Sequence, residues 1–315
     1  MSFILDFAPH LGFPTPATPL FAELVGDVGV EAQIEFAAEN GFRSVQDPFV
    51  ARRSEAEQRR LGEIAALAGI TPTCFVYAPI ERASEPHWSA VGATERAGLA
   101  RDVDAAISIG RRIGSRHIAV LTGADPTREK AEQRAVMAAN LRRLAGRVAD
   151  AGMALCVEAV DAGRLPRMLL HHLSDAIEVV RAADHPAVRL IFDFAHVQAM
   201  DGNVLNSMDA AWDLIELFQL ADHPGRVEPG AGELDFVRLI DEIERRGFAG
   251  PCELEHTGGP HPARRYRGPT SGGSGGGARP TEGSTCRRTG RAWPDTPRCF
   301  ARSAGTGREP ATPGS

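Results

Sequence analysis

No apolar run in this 315-residue chain approaches the length needed to cross a bilayer. The N-terminus, "MSFILDFAPHLGF", has neither the basic stretch nor the cleavage pattern of a secretory leader. Both absences argue against a membrane protein and set the expectation of a cytoplasmic one. Cysteine is scarce and scattered, with five residues at 74, 156, 252, 286 and 299 and no Cys-x-x-Cys spacing. An odd, dispersed set argues against a disulfide framework or a cysteine zinc site and suits reduced thiols. Cys156 and Cys252 sit inside apolar runs and read as small core residues. A glycine-rich nucleotide turn is missing too, since "APHLGF" is not Gly-x-Gly-x-x-Gly.

What is present suffices for a full core: 43% hydrophobic and 24% charged residues, enough for one large or two ordinary domains. The net charge of −6 hides an asymmetry. Residues 257–315 hold ten Arg against three acidic residues, a net of +7, which leaves −13 on residues 1–256. An acidic body offers no electrostatic footprint for nucleic acid. The basic tail lacks the amphipathic pattern that RNA or lipid binding would want.

Up to about residue 256 the chain alternates β-type runs with amphipathic helical patterns. Strands are expected at 3–9, 42–49, 70–79, 117–123, 153–160, 188–196, 217–222 and 251–256. Helices are expected near 29–40, 55–68, 93–113, 127–151, 174–183, 208–216 and 234–246, several closing on Gly ("AENG", "LAGI", "ERRG"). Mostly continuous apolar strands imply a parallel sheet buried on both faces. Eight such strands alternating with helices fit a (β/α)₈ barrel, with a doubly wound open sheet as the alternative.

From about residue 258 onward the sequence is dominated by Gly, Pro, Ser, Thr, Ala and Arg, as in "PTSGGSGGGARPTEGST". It cannot bury enough apolar surface to offset its ordering entropy, so two segments are expected: a barrel over 1–257 and a disordered tail over 258–315. The eighth strand then lacks a normal last helix. The tail is either an ordinary extension or the product of a frame shift just after "ELEHT".

Polar residues close the later strands in a repeating way. Glu158 ends the fifth ("LCVEAV"), Asp193 and His196 the sixth ("IFDFAH"), Gln219 the seventh ("FQLAD") and Glu255 the eighth ("CELEH"). The intervals between Glu158, Asp193, Gln219 and Glu255 are 35, 26 and 36 residues, about one βα unit each. In a parallel barrel those strand ends converge on the face where barrel enzymes do their chemistry. Any one of these residues could be a buried, hydrogen-bonded polar group. Four on successive strands point to a shared site, because a charge in an apolar strand is costly unless paired or bound to metal. Three carboxylates and an amide oxygen form a hard donor set, suited to one Mg²⁺ or Mn²⁺ ion rather than zinc. Such a site can chelate a small 2-hydroxycarbonyl substrate and stabilise the enediolate formed as a proton moves between adjacent carbons.

The segments "VEAVDAGRLPRMLL", "FDFAHVQAMDGNV", "FQLADHPGRVEPGAGELDF" and "GFAGPCELEH" resemble the hydroxypyruvate isomerase family of the xylose isomerase-like TIM barrels, over residues 3–257. The resemblance implies that Glu158, Asp193, Gln219 and Glu255 bind the metal, and that Glu158 and Glu255 double as the proton-transfer pair. It implies that His196 and Arg226 contact substrate, a guanidinium suiting the carboxylate of hydroxypyruvate. A structural hydrogen bond is the other role open to His196, and a loop salt bridge with Glu228 or Glu233 the other open to Arg226. The implied reaction interconverts hydroxypyruvate and tartronate semialdehyde. A ketose or cyclitol epimerase or dehydratase with the same metal site is the alternative, as is a catalytically impaired sugar-binding barrel. Relatives often form dimers or tetramers, so a homo-oligomer is expected by analogy. Gln46 departs from the pattern, which usually has Glu there. The long polar stretch after Gln219 reads as a lid over the open face, its turns permitted by Gly225, Gly230 and Gly232.

Cutting the chain at residue 258 is expected to leave the melting curve of the body unchanged, because the tail has so few large apolar residues. Limited proteolysis should cleave first at sites such as Arg264 and Arg287. Unfolding on truncation, or protease resistance throughout 258–315, would contradict this expectation.

Overall fold

The computed structural model describes residues 4–257. Its strands are β1 (Asp6–Pro9), β2 (Ser44–Val45), β3 (Thr71–Pro72), β4 (Cys74–Val76), β5 (His117–Val120), β6 (Ala154–Val157), β7 (Val188–Asp193), β8 (Ile215–Gln219) and β9 (Pro251–Leu254). Its α-helices are α1 (Ala22–Val25), α2 (Val30–Glu39), α3 (Glu55–Ala68), α4 (Ile80–Ala83), α5 (Ala93–Ile113), α6 (Lys130–Asp150), α7 (Leu173–Ala183), α8 (Phe194–Met200), α9 (Val204–Ala211) and α10 (Phe236–Arg245). The strands pair parallel in the order β1-β9-β8-β7-β6-β5-β4, with β2 and β3 paired alongside. A bridge from His10 to Gln46 joins the end of β1 to that of β2. Only Thr73 separates β3 from β4, so they occupy one strand position. Eight positions therefore close into a parallel barrel, the fold class read from the sequence.

Local chemistry explains the element ends. Ser54 and Glu57 form a capping box at the start of α3, and Gly69 ends that helix in the left-handed conformation at φ 68°. The second strand is far shorter than its β-type run. Pro48 has no amide hydrogen, and the Asp47 carboxylate accepts the Phe49 N–H at 3.2 Å and Arg53 Nε at 2.5 Å. The third strand breaks because the Cys74 N–H leaves the ladder and donates to Glu253 Oε1 at 2.8 Å. The run at 188–196 is a strand only to Asp193, whose carboxylate accepts the His196 N–H at 2.9 Å and caps α8. His196 is thus helical. The helix expected near 208–216 lies earlier, as α9, because Ile215 already belongs to β8. The expectations for residues 258–315, including the missing last helix, lie outside the described residues.

Helices pack around the barrel, α3 against α5 and α6 against α7. An aromatic cluster fills the layer outside β7 and β8. Phe218 is fully buried, its ring centre 4.7 Å from Phe248, 5.5 Å from Phe194 and 5.7 Å from Phe192. Phe218→Ala should lower stability by about 3–5 kcal/mol, because this cluster cannot collapse into the space left behind. Leu67, 86% exposed on α3, should tolerate Ala within about 0.5 kcal/mol. Urea unfolding of both variants tests the contrast, and equal losses would refute it.

Candidate functional site

Adjacent strand ends place polar side chains at one level of the barrel. Asp193 on β7 is the register partner of Gln219 on β8, and Gln219 is the partner of Glu253 on β9. The period-two alternation of an extended chain then sends Glu253 and Glu255 to the same side. Gln46 Nε2 donates to Glu253 Oε2 at 2.9 Å and to Glu255 Oε1 at 2.8 Å. Gln219 Nε2 donates to the same two atoms at 3.1 and 3.2 Å. Both amide oxygens, Gln46 Oε1 and Gln219 Oε1, are buried without a hydrogen-bond partner among the described residues.

Glu158 follows β6 directly, and its Oε1 lies 3.7 Å from His196 Nε2. The other ring nitrogen, His196 Nδ1, is 2.7 Å from Asp161 Oδ2. Ligand atoms of Glu158, Asp193 and His196 lie within 4.8 Å of one another, close enough to share a cation. The stretch after β8 adds a cation of its own. Asp222 is fully buried, and its carboxylate accepts the N–H groups of His223, Gly230, Gly232 and Leu234 at 2.8–3.0 Å. A Cβ at Gly232 would strike the His223 carbonyl and the Asp222 carboxylate, so only glycine fits. This turn holds Arg226 at φ 54°, with its carbonyl accepting the Thr257 N–H at 2.9 Å. Arg226 Nη2 donates to Asp193 Oδ2 at 2.6 Å and also to Glu255 Oε2. Its Nη1 is 3.4 Å from His196 Nε2.

All six residues singled out in the sequence therefore meet at one end of the barrel. Glu158 and His196 meet directly, Asp193 and Glu255 through Arg226, and Gln219 through Glu255. The loop salt bridge to Glu228 or Glu233 gives way to these buried pairs. The electrostatics are uneven. Burial, with Glu255 and Asp193 beside it, raises the Glu158 carboxyl well above the usual carboxylate range. Burial pushes Asp193 the same way, but Arg226 and His196 outweigh it and hold Asp193 low. Glu253 is pushed up to about 8 by burial, against hydrogen bonds from Thr73, the Cys74 N–H and Gln219. Burial also lowers His10 to about 3 and His256 to about 4, so both imidazoles are neutral at pH 7.

Sequence reasoning missed Glu253, Asp161 and Asp222. Glu253 was legible as the alternate residue of "ELE". Asp161 carried no signal, because its partner His196 lies 35 residues away, whereas the partners of Asp222 are N–H groups of its own loop. A cavity of about 730 Å³ opens elsewhere, lined by Asp6, Ser44, Thr73, His117 and Glu216. It sits toward the N-terminal ends of the strands, away from the carboxylate cluster, and barrel enzymes place their chemistry at the C-terminal ends.

Known proteins resemble this chain along most of the barrel. Hydroxypyruvate isomerase of Escherichia coli K12 is 30% identical over 155 residues, 49% of this chain and 60% of that protein. The match thus spans less than two thirds of that relative. 2-oxo-tetronate isomerase of Pectobacterium atrosepticum is 28% identical over 239 residues, 75% of this chain and 90% of that protein. Among solved structures, an AP endonuclease, family 2, from Brucella melitensis superposes with a TM-score of 0.70 at 21% identity, covering 81% of this chain and 93% of that one. That is a likeness of fold. The family model described as xylose isomerase-like TIM barrel matches residues 34–269, well over half the sequence, and the chain belongs to that family.

Proposed function

We propose that the chain is a metal-dependent isomerase that moves a proton between adjacent carbons of a small 2-hydroxycarbonyl acid. The reaction would interconvert hydroxypyruvate and tartronate semialdehyde, or a close analogue. The observation that carries this reading is the buried set of Glu158, Asp193, Gln219 and Glu255 at the strand ends, with Gln219 Oε1 lacking a hydrogen-bond partner among the described residues. The names of the two isomerase relatives support it.

An orphaned amide oxygen beside carboxylates fits a hard divalent ion, Mg²⁺ or Mn²⁺. Glu158, Asp193, Gln219 and Glu255 would hold it, with His196 adjacent. The ion supplies Lewis-acid polarisation of the substrate carbonyl. The protein supplies the rest. Glu158, its carboxyl raised by burial and by neighbouring acids, is the group placed to donate the proton. Glu255 takes the C–H proton, its carboxylate oriented by Arg226, Gln46 and Gln219. His196 is held by Asp161 with one ring nitrogen toward Glu158, placed to bind a substrate hydroxyl. Arg226 neutralises oxygens of Asp193 and Glu255 and, with Nη1 toward His196, stands beside the substrate position.

Glu158→Gln and Glu255→Gln should each reduce kcat on hydroxypyruvate by about 10³-fold or more, since each removes one proton-transfer group. Near wild-type turnover in either variant at saturating metal would exclude the two-carboxylate assignment.

EDTA should abolish turnover, and Mg²⁺ or Mn²⁺ should restore it. Asp193→Ala should shift the metal titration, followed by calorimetry as well as rate, to higher concentration. Full activity in chelator-treated, metal-free protein would rule out the proposed ion.

A further inference from the structure

Phe13 lies in the loop after β1, 8% exposed, with its ring stacked 6.3 Å from that of Phe49 at an interplanar angle of 5°. Two guanidinium groups sit over this one ring. The central carbons of Arg226 and Arg164 are each 5.1 Å from its centre. Stacking on an aromatic face favours a guanidinium, but two like charges on one platform repel. The placement makes sense where an anion is to be received.

The two cations differ in what they have left to give. Arg226 is committed to Asp193 and Glu255, and its Nε–H is buried with no acceptor among the described residues. Arg164 has no carboxylate partner among the described residues. Its backbone is tied into the site: the Arg164 N–H donates to Asp161 Oδ1 at 2.9 Å, while Asp161 Oδ2 holds His196 at 2.7 Å. One carboxylate therefore positions both the histidine and the arginine segment. Burial and the Arg226 charge both make protonation of Arg164 less favourable, a penalty that an incoming anion would relieve.

The charge of the mouth sets the requirement. Asp193 and Glu255 would repel the carboxylate of an acidic substrate, and Arg226 is occupied in offsetting them. A neutral sugar would need no second cation. We propose that Arg164, poised on Phe13 beside Arg226, binds the carboxylate of the substrate and makes the site selective for 2-hydroxycarbonyl acids over neutral ketoses. The proposal rests on the isomerase reading and specifies its substrate class.

The test compares binding of D-glycerate, an acid that cannot isomerise, with that of neutral dihydroxyacetone. Both are titrated by calorimetry or ligand-observed NMR into the full-length, Mg²⁺-loaded protein. Arg164→Gln should weaken glycerate binding about 10- to 100-fold, the loss of a charge-assisted contact, and leave dihydroxyacetone unchanged. Arg164→Lys should fall between, keeping the charge but losing the flat, forked group. KM for hydroxypyruvate should rise in parallel with little change in kcat. Equal glycerate affinity in wild type and Arg164→Gln, a matching loss for dihydroxyacetone, or no preference of the wild type for glycerate would each overturn the assignment. Arg164-dependent glycerate binding without any turnover would uphold it and overturn the isomerase reading alone.

Discussion

The mouth of the barrel depends on one buried guanidinium. Arg226 joins Asp193 and Glu255 in a buried place, where an unpaired charge is costly. Deleting one partner of such a pair strands the other in a poorly solvated interior, so the three residues stand or fall together. The turn that carries Arg226 is built for this purpose. Four backbone N–H groups converge on Asp222, a glycine occupies the one place without room for a side chain, and Thr257 grips the Arg226 carbonyl. The polar stretch after β8 is thus a rigid holder for a charge.

The same acids shape the barrel itself. Glu253 takes the Cys74 N–H and the Thr73 hydroxyl, and this interrupts the strand that would otherwise run through Thr73. Gln46 and Gln219 reach Glu253 and Glu255 from two sides, tying the end of β2 to β9 through side chains alone, and β8 to β9 through side chains as well as the backbone. The aromatic layer outside β7 and β8 keeps these strands in place without polar groups. Strand alternation separates the two environments, with Phe218 outward and Gln219 inward.

The proposed metal binding and proton transfer would draw on one cluster of uneven charge. Burial, with Glu255 and Asp193 beside it, raises the Glu158 carboxyl, while Arg226 and His196 outweigh burial at Asp193 and hold it low. Neighbouring carboxyls are thus driven apart in acidity by their partners. Arg164 stands at the edge of this balance, stacked on the same ring as Arg226 and carrying no acidic partner among the described residues.

By itself the sequence determined the barrel and the membership of the site. Apolar runs at regular spacing become strands, and the polar residues that close them, Glu158, Asp193, Gln219 and Glu255, must converge wherever parallel strands end together. The boundaries of α3 and α5 were legible because caps and glycines act locally. Tertiary structure decided what depends on partners distant in sequence. The strand at 70–79 breaks at Thr73 because Glu253 lies across the barrel. Arg226 chose Asp193 and Glu255 over the glutamates of its own loop, since burial rewards the pair that can be fully enclosed. Asp161 and Arg164 owe their roles to contacts with His196 and Phe13, far along the chain, which residue type and spacing do not encode.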